Sequence, residues 1–472
     1  MASLLPQTCG PIEHKPGENF LFVSLSHPGE IKNRDNQRAI RSRVMRDIGR
    51  SRRTRKRRPQ QVTFGLEENF ILENLASATH QSHIPSSLES WPFPVELNSR
   101  AKELISFMNS ESDVVHRPFR TIWFSMALVD QSAFKLSMAN ASMFLAQRKD
   151  PDGFRYETCS ETLEYFGQCL SLVTKRLEDP KDCVSEGVIT TILGLICHDL
   201  YVGIWDRLAV HNAGLHLIYK LRGGFKGLGP NVPLFASWYD VLTCAMDDKP
   251  PYFPNYALEH APSLGYTKSP LLETIIQRLQ TSSDLVSLPE ALDRLALIAH
   301  FVNNVTKTGS QWRKEDDMTP LYLVGSATHI LLSMPRLNPS YKIINSTEFL
   351  RELTRLAMLI LLERVKQAYH FTSNELLLFE AKFSNLLLAY PKDYGDVLPH
   401  LQLWAVMTVA TLQPHAACQT LYAKRIANLM RLLGIESAQA SFEMAKNIMW
   451  IESIAGEHPK QALVNAIDGI PP

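Results

Sequence analysis

From Arg117 to near the C-terminus, apolar residues recur at spacings of three and four, and almost no segment alternates as a strand would. Phe119, Ile122, Trp123, Met126, Ala133, Phe134 and Leu136 follow this period through what reads as a long first core helix. Further helical patterns run over about 158–178, 184–203, 206–221, 233–246, 268–280, 285–304, 320–333, 347–371, 373–390, 398–413, 417–433 and 438–454. Stop signals fall where such helices need them. Gly223 and Gly224 close one, Gly434 closes another, and Pro391 and Pro414 lie just beyond two more. No unit of about 30 to 47 residues repeats, which argues against a helical solenoid. The expected fold class is therefore all-α, an irregular helical bundle of about a dozen helices preceded by a disordered basic N-terminal arm.

The expected organisation is an arm over 1–60 and a linker over 61–114 that holds a short helix near Glu96 to Asn109. A helical body over 115–460 and a C-terminal tail over 461–472 complete it. Within the body, Asp247 to Pro262 is the longest expected loop. Its Pro250, Pro251 and Pro254, with Tyr252 and Phe253, cannot continue a helix, and they divide the body into lobes at 115–246 and 263–460.

Charge is distributed unevenly. The formal net charge is +1, yet Lys32 to Arg58 holds thirteen Lys or Arg against Asp35 and Asp47, a local +11 that leaves −10 on the rest. Arg50, Arg52, Arg53, Arg55, Lys56, Arg57 and Arg58 place seven cations in nine residues, a density that calls for an anionic partner. Nucleic acid comes first as that partner and an acidic membrane surface second, and three readings of the run stay open: a nuclear-import signal read by acidic grooves, contact with DNA phosphates, or a merely solvated charge run. Phosphate contact by itself reads no sequence. The first sixty residues otherwise lack the apolar surface that offsets ordering entropy. Two exceptions stand out. Phe20 to Val23 reads as an anchoring strand or turn. Over Arg38 to Arg50, Ile40, Val44 and Ile48 recur every fourth position and set a marginal amphipathic helix whose other faces carry Arg38, Arg41, Arg43, Arg46 and Arg50. Pro59 denies that helix the heptads of a leucine zipper.

Several classes of chemistry lack their residues. The seven cysteines (Cys9, Cys159, Cys169, Cys183, Cys197, Cys244 and Cys418) form no C-x-x-C pair, so they read as reduced, buried thiols. The N-terminus has no secretory pattern, because prolines break it up. The most apolar stretch, Gly187 to Trp205, carries His198 and Asp199 at its middle and reads as a core helix instead of a membrane span. The glycines from Gly223 to Gly229 follow a helix, where a phosphate cradle would precede one. His211 and His216, five positions apart, do not share a helix face well enough to hold one metal. Cys197, His198 and Asp199 are adjacent, which points their side chains apart and rules out a catalytic dyad among them. No metal and no cofactor is expected. Trp205, His211, Trp238 and Tyr239 remain the candidates for a small-molecule pocket in the bundle, although aromatic residues in such patterns more often fill a core.

Two stretches resemble proteins carrying the fungal-specific transcription factor domain. In the arm these are Phe22-Val23, His27-Pro28, Lys32, and Arg38-Ala-Ile-Arg-Ser-Arg-Val-Met-Arg46 followed by Arg52-Arg53. The family signature there reads close to R-S-H-V-M, and Arg43 stands in place of its histidine. In the body they are His211-Asn-Ala-Gly-Leu-His-Leu-Ile-Tyr-Lys-Leu-Arg-Gly-Gly-Phe225, then Trp238 to Asp240, then the Pro-Pro-Tyr-Phe-Pro stretch ending at Pro254. Many family members begin with a binuclear zinc cluster of six cysteines, and here only Cys9 precedes residue 159. The resemblance implies a non-enzymatic nuclear regulator of transcription whose helical body is a regulatory domain. It also implies pairing with a second copy of the chain through the helical body, while the arm's charge points to the import machinery and the DNA phosphate backbone as partners; other regulatory proteins complete the expected partners, with no membrane. Two alternatives stay open: a zinc-free DNA-binding protein using the Arg38 to Arg50 helix, and an enzyme with an unrecognised helical active site.

Overall fold

The computed structural model describes residues 93–110, 124–258, 265–307, 321–337, 345–368, 373–390, 397–413 and 416–470. The basic arm, including Arg38 to Arg58, and the segment from Phe119 to Trp123 lie outside the described residues. Within them the chain is helical and has no β-strand.

The first part of the body is built from α1 (Ser99–Ser110), α2 (Phe124–Ala127), α3 (Gln131–Lys149), α4 (Ser160–Leu177), α5 (Glu186–Val202), α6 (Trp205–Arg222) and α7 (Asn231–Ala245). The second part comprises α8 (Pro270–Gln280), α9 (Leu288–Lys307), α10 (Ser326–Ser333), α11 (Ser346–Ala368), α12 (Leu376–Ala389), α13 (Pro399–Leu412), α14 (Ala416–Leu433), α15 (Ala438–Ile448), α16 (Glu452–Ala455) and α17 (Glu457–Asp468). Helix α3 packs against α1, α4 and α5, while α13 packs against α11, α14 and α15. Helix α10 touches both α7 and α11. The buried hydrophobic residues form one connected cluster reaching from Ala101 to Ile467.

Helix boundaries follow capping chemistry. Ser185 accepts from the Val188 N–H at the start of α5, and Ser269 does the same for Leu272 ahead of Pro270 in α8. Gly223, with φ of 80°, ends α6 in the left-handed conformation that a side chain resists.

The expected long first helix is in fact broken. Asp130 is extended and its carboxylate caps the N–H groups of Ser132 and Ala133, so α2 stops and α3 begins afresh. The pattern expected to run to residue 454 ends at Ile448, where Met449 turns extended. The expected tail also carries α17, whose Leu463 and Ile467 are buried. Two apolar contacts a turn apart were too short a period to register in the sequence. Similarly, the short helix expected in the linker is a core element, with Leu104 and Ile105 fully buried.

Candidate functional site

The region from α5 to the proline loop is organised by two carboxylates that are wholly buried, Asp199 and Asp240. Asp199 accepts from Arg207 Nε at 2.6 Å and, on its other oxygen, from His211 Nδ1 at 2.8 Å. Its neighbour His198 faces a different set of groups. His198 Nδ1 donates to Asn140 Oδ1 at 2.6 Å, and Nε2 accepts from the Tyr156 hydroxyl at 3.0 Å. Burial pushes the His198 pKa down to about 3, so the ring stays neutral and this tautomer is fixed by its partners. Arg207 completes the cluster by lying 4.2 Å from the centre of the Phe166 ring and bonding to Tyr156. Every polar atom named has a protein partner, which makes this cluster a brace between α3, α5 and α6.

Asp240 braces the proline loop. One oxygen accepts from His216 Nε2 at 2.9 Å, and the other takes the backbone N–H groups of Tyr252 at 2.5 Å and Phe253 at 2.9 Å. The two rings then close on α6. Tyr252 stacks on His216 with centroids 4.1 Å apart, and Phe253 packs edge-on against Tyr219 at 4.9 Å. The loop expected to separate two lobes is thus held against α6 and α7, and Phe253 is buried.

Beyond this loop lies a cleft of about 530 Å³, walled by Asn255, Leu258, His329 and Arg351 among others. His329 Nε2 donates to the Phe253 carbonyl at 2.8 Å, which ties the cleft wall to the Asp240 brace. Arg351 is 8% exposed, and its Nη1 donates to the Asp284 carbonyl at 3.2 Å. Arg351 Nε and Asn255 Oδ1 have no hydrogen-bond partner among the described residues. A buried guanidinium N–H without a partner is costly. The carboxylates of Asp284 and Glu290, also at the cleft, are exposed and keep their water.

The four residues singled out as pocket candidates are dispersed. Trp205 is 38% exposed at the start of α6, and His211 is committed to Asp199. Trp238 and Tyr239 are buried in α7, and the Trp238 ring lies so close over Gly325 that a Cβ there would sit 2.9 Å from it. None of the four lines the cleft at Arg351. His211 and His216 each take a separate carboxylate, and His198 and Asp199 point to different partners. The sequence reading missed Asp240, Asp248 and Arg351. The available signal was charge inside a fully apolar run, as in Trp238-Tyr239-Asp240-Val241-Leu242.

Among the described residues these features define an all-helical body braced by buried ion pairs, with a cleft at Arg351. Residues 101–365 match the family described as "Fungal specific transcription factor domain", and the chain belongs to that family. Neither a curated protein nor a solved structure matches the chain. No helix among the described residues is long and apolar enough to cross a membrane.

Proposed function

We propose that the protein is a nuclear, non-enzymatic regulator of transcription, with the N-terminal arm supplying import and weak phosphate contact and the helical body binding regulatory partners or a small molecule. The observation that carries this reading is the joining of a family-assigned body at 101–365 to seven cations within nine residues at Arg50 to Arg58. Clustered guanidinium and ammonium groups bind acidic import grooves and phosphates by the same electrostatics, so both uses are salt-sensitive. Neutralising Arg52, Arg53, Arg55, Lys56, Arg57 and Arg58 with Gln should move a fluorescently tagged copy from nucleus to cytoplasm. An unchanged nuclear signal removes the import role.

The cleft favours a small-molecule role for the body. The Arg351 guanidinium in its wall suits a carboxylate or another strong acceptor. In a thermal-shift screen of small carboxylates, at least one should raise the Tm of the wild-type chain and leave Arg351→Met unmoved. A flat screen withdraws this part of the reading.

A further inference from the structure

Helix α11 ends in a group of charges that do not balance. Glu363 and Lys366 lie one turn apart on it, the spacing that brings two side chains together. Glu375 stands at the N-cap of α12, but its side chain caps no N–H of that helix and accepts from Lys366 Nζ instead. Lys366 Nζ also lies 2.7 Å from Glu363 Oε2. All three side chains are enclosed, with Glu363 0% exposed, Lys366 1% and Glu375 4%. One ammonium thus faces two carboxyls, and full ionisation would leave an uncompensated negative charge in the interior.

Glu363 is the carboxyl that lacks support. Neither of its oxygens receives an aligned hydrogen bond, the short Lys366 contact included. An ionised carboxylate buried in this way is costly, whereas the neutral acid needs only one acceptor for its O–H. That acceptor is at hand, because the Glu375 carboxyl is within hydrogen-bonding reach of it. Burial pushes the Glu363 pKa well above the usual carboxylate range, and Glu375 opposes the pull of Lys366 in the other direction. Burial also works against the Lys366 charge, but the two carboxyls outweigh it and raise the Lys366 pKa.

Among the described residues, the charges that act most strongly on Glu363 are those of Lys366 and Glu375. The other elements packed on α11 direct their titratable groups elsewhere. On α12, Glu380 takes Arg364 at 2.9 Å and Lys382 takes Asp248. On α9, Asp293 pairs with Lys268 at 2.8 Å, and on α16, Glu452 pairs with Lys460 at 2.8 Å. His329 of α10 is bonded to the Phe253 carbonyl, and α13 carries only His400, in its first turn.

We propose that Glu363 is a neutral carboxylic acid in the folded protein at neutral pH, donating to Glu375, so that the α11–α12 junction is a binding site for one proton. Lys366 then balances the single charge of Glu375, and the interior is neutral. Two carboxyls that share one cation and touch each other retain a proton between them. An unfolded glutamate titrates near 4.3 and the folded value of Glu363 is far higher. The stabilisation is therefore complete below about pH 4.3 and is lost as pH rises toward the folded value. The junction is a latch that loosens on the alkaline side, where admitting water relieves the buried charge. This inference stands apart from the regulatory reading, because it concerns the purified chain without DNA, ligand or import factors.

The test compares the full chain with Glu363→Gln, which has the shape of the neutral acid, in urea unfolding read by circular dichroism from about pH 5 to about pH 9. The unfolding constant of the wild type should rise about tenfold per pH unit relative to that of the variant, until Glu363 ionises in the folded chain. Titrations common to both chains, such as that of His198, cancel in the ratio. Glu380→Gln removes a carboxylate that is paired with Arg364, and it should keep the wild-type slope. An infrared spectrum at neutral pH should show a protonated-carboxyl band in the wild type that is missing from Glu363→Gln. A ratio that stays flat across the range overturns the proposal, as does a wild-type spectrum at neutral pH without that band.

Discussion

Replacing Asp248 with Ala should lower the stability of the body by about 3–5 kcal/mol, the usual cost of stranding a buried charge by removing its partner. Asp248 is 5% exposed just beyond the end of α7, with φ of 52°. Its oxygens take Arg355 Nη1 at 2.8 Å and Nη2 at 2.9 Å, and Lys382 Nζ at 2.6 Å. Arg336 joins from the end of α10 through Nη2 at 3.3 Å. Lys382 can turn to water, but Arg355 is wholly buried and would keep only Glu352. The hub links the proline loop to α10, α11 and α12, so its loss loosens the seam between the two parts of the chain. Asp248→Asn separates the contributions, because it keeps the shape and the left-handed tolerance while removing the charge. Urea unfolding followed by circular dichroism reads the difference. A loss under about 1 kcal/mol for Asp248→Ala would mean that the buried pair adds nothing net.

The same residue sets an acid limit. Burial raises the Asp248 pKa, but the bonds and charges of Arg355 and then Lys382 outweigh it and hold the group at about 2. Its folded value is thus below the unfolded value of about 3.9, so the stabilisation is complete above that pH and is lost as pH falls toward 2. His198 acts earlier. Its burial-depressed value of about 3 lies below the unfolded value near 6.5, so stability declines from pH 6.5 downward as the unfolded chain takes up a proton first. Asp248→Asn should therefore remove this residue's share of the decline below about pH 4 and leave the decline that His198 sets between about pH 6.5 and 3.

Fold class was legible because helical period and helix stops are local properties. Gly223, Gly434 and Ser269 each end or begin a helix through contacts within a few residues. The breaks at Asp130 and Met449 were less visible, since apolar spacing continues across both and only the carboxylate cap at Asp130 interrupts the ladder. The site was mostly illegible for a different reason. Asp199 finds Arg207 and His211 within one turn-and-helix unit, so adjacency offered some warning. Asp248 and Arg355 are 107 positions apart, and no spacing rule joins them. A charged residue inside an apolar run indicates that a partner exists and leaves its identity to the tertiary fold.

The second large effect is expected at Asp240, where loss of the carboxylate should release the proline loop. Asp240→Ala strands the Tyr252 and Phe253 N–H groups, each of which donates to a charged acceptor in a buried setting, and it frees His216. Hydrogen bonds to charged groups contribute about 1.5–3 kcal/mol each, so a total loss near 3 kcal/mol is expected even if water reaches the exposed Tyr252 side. Asp240→Asn retains an acceptor oxygen and should cost less than half as much. The change should also be local. With Phe253 unanchored, its carbonyl no longer holds His329, and that wall of the Arg351 cleft opens. Amide hydrogen exchange across Lys249 to Leu258 should therefore rise by orders of magnitude in Asp240→Ala, while α13 and α14 keep their protection. Equal loss of protection in α13 and α14 would show that Asp240 supports the whole body, and the loop would then have no separate stability for a ligand in the cleft to act upon.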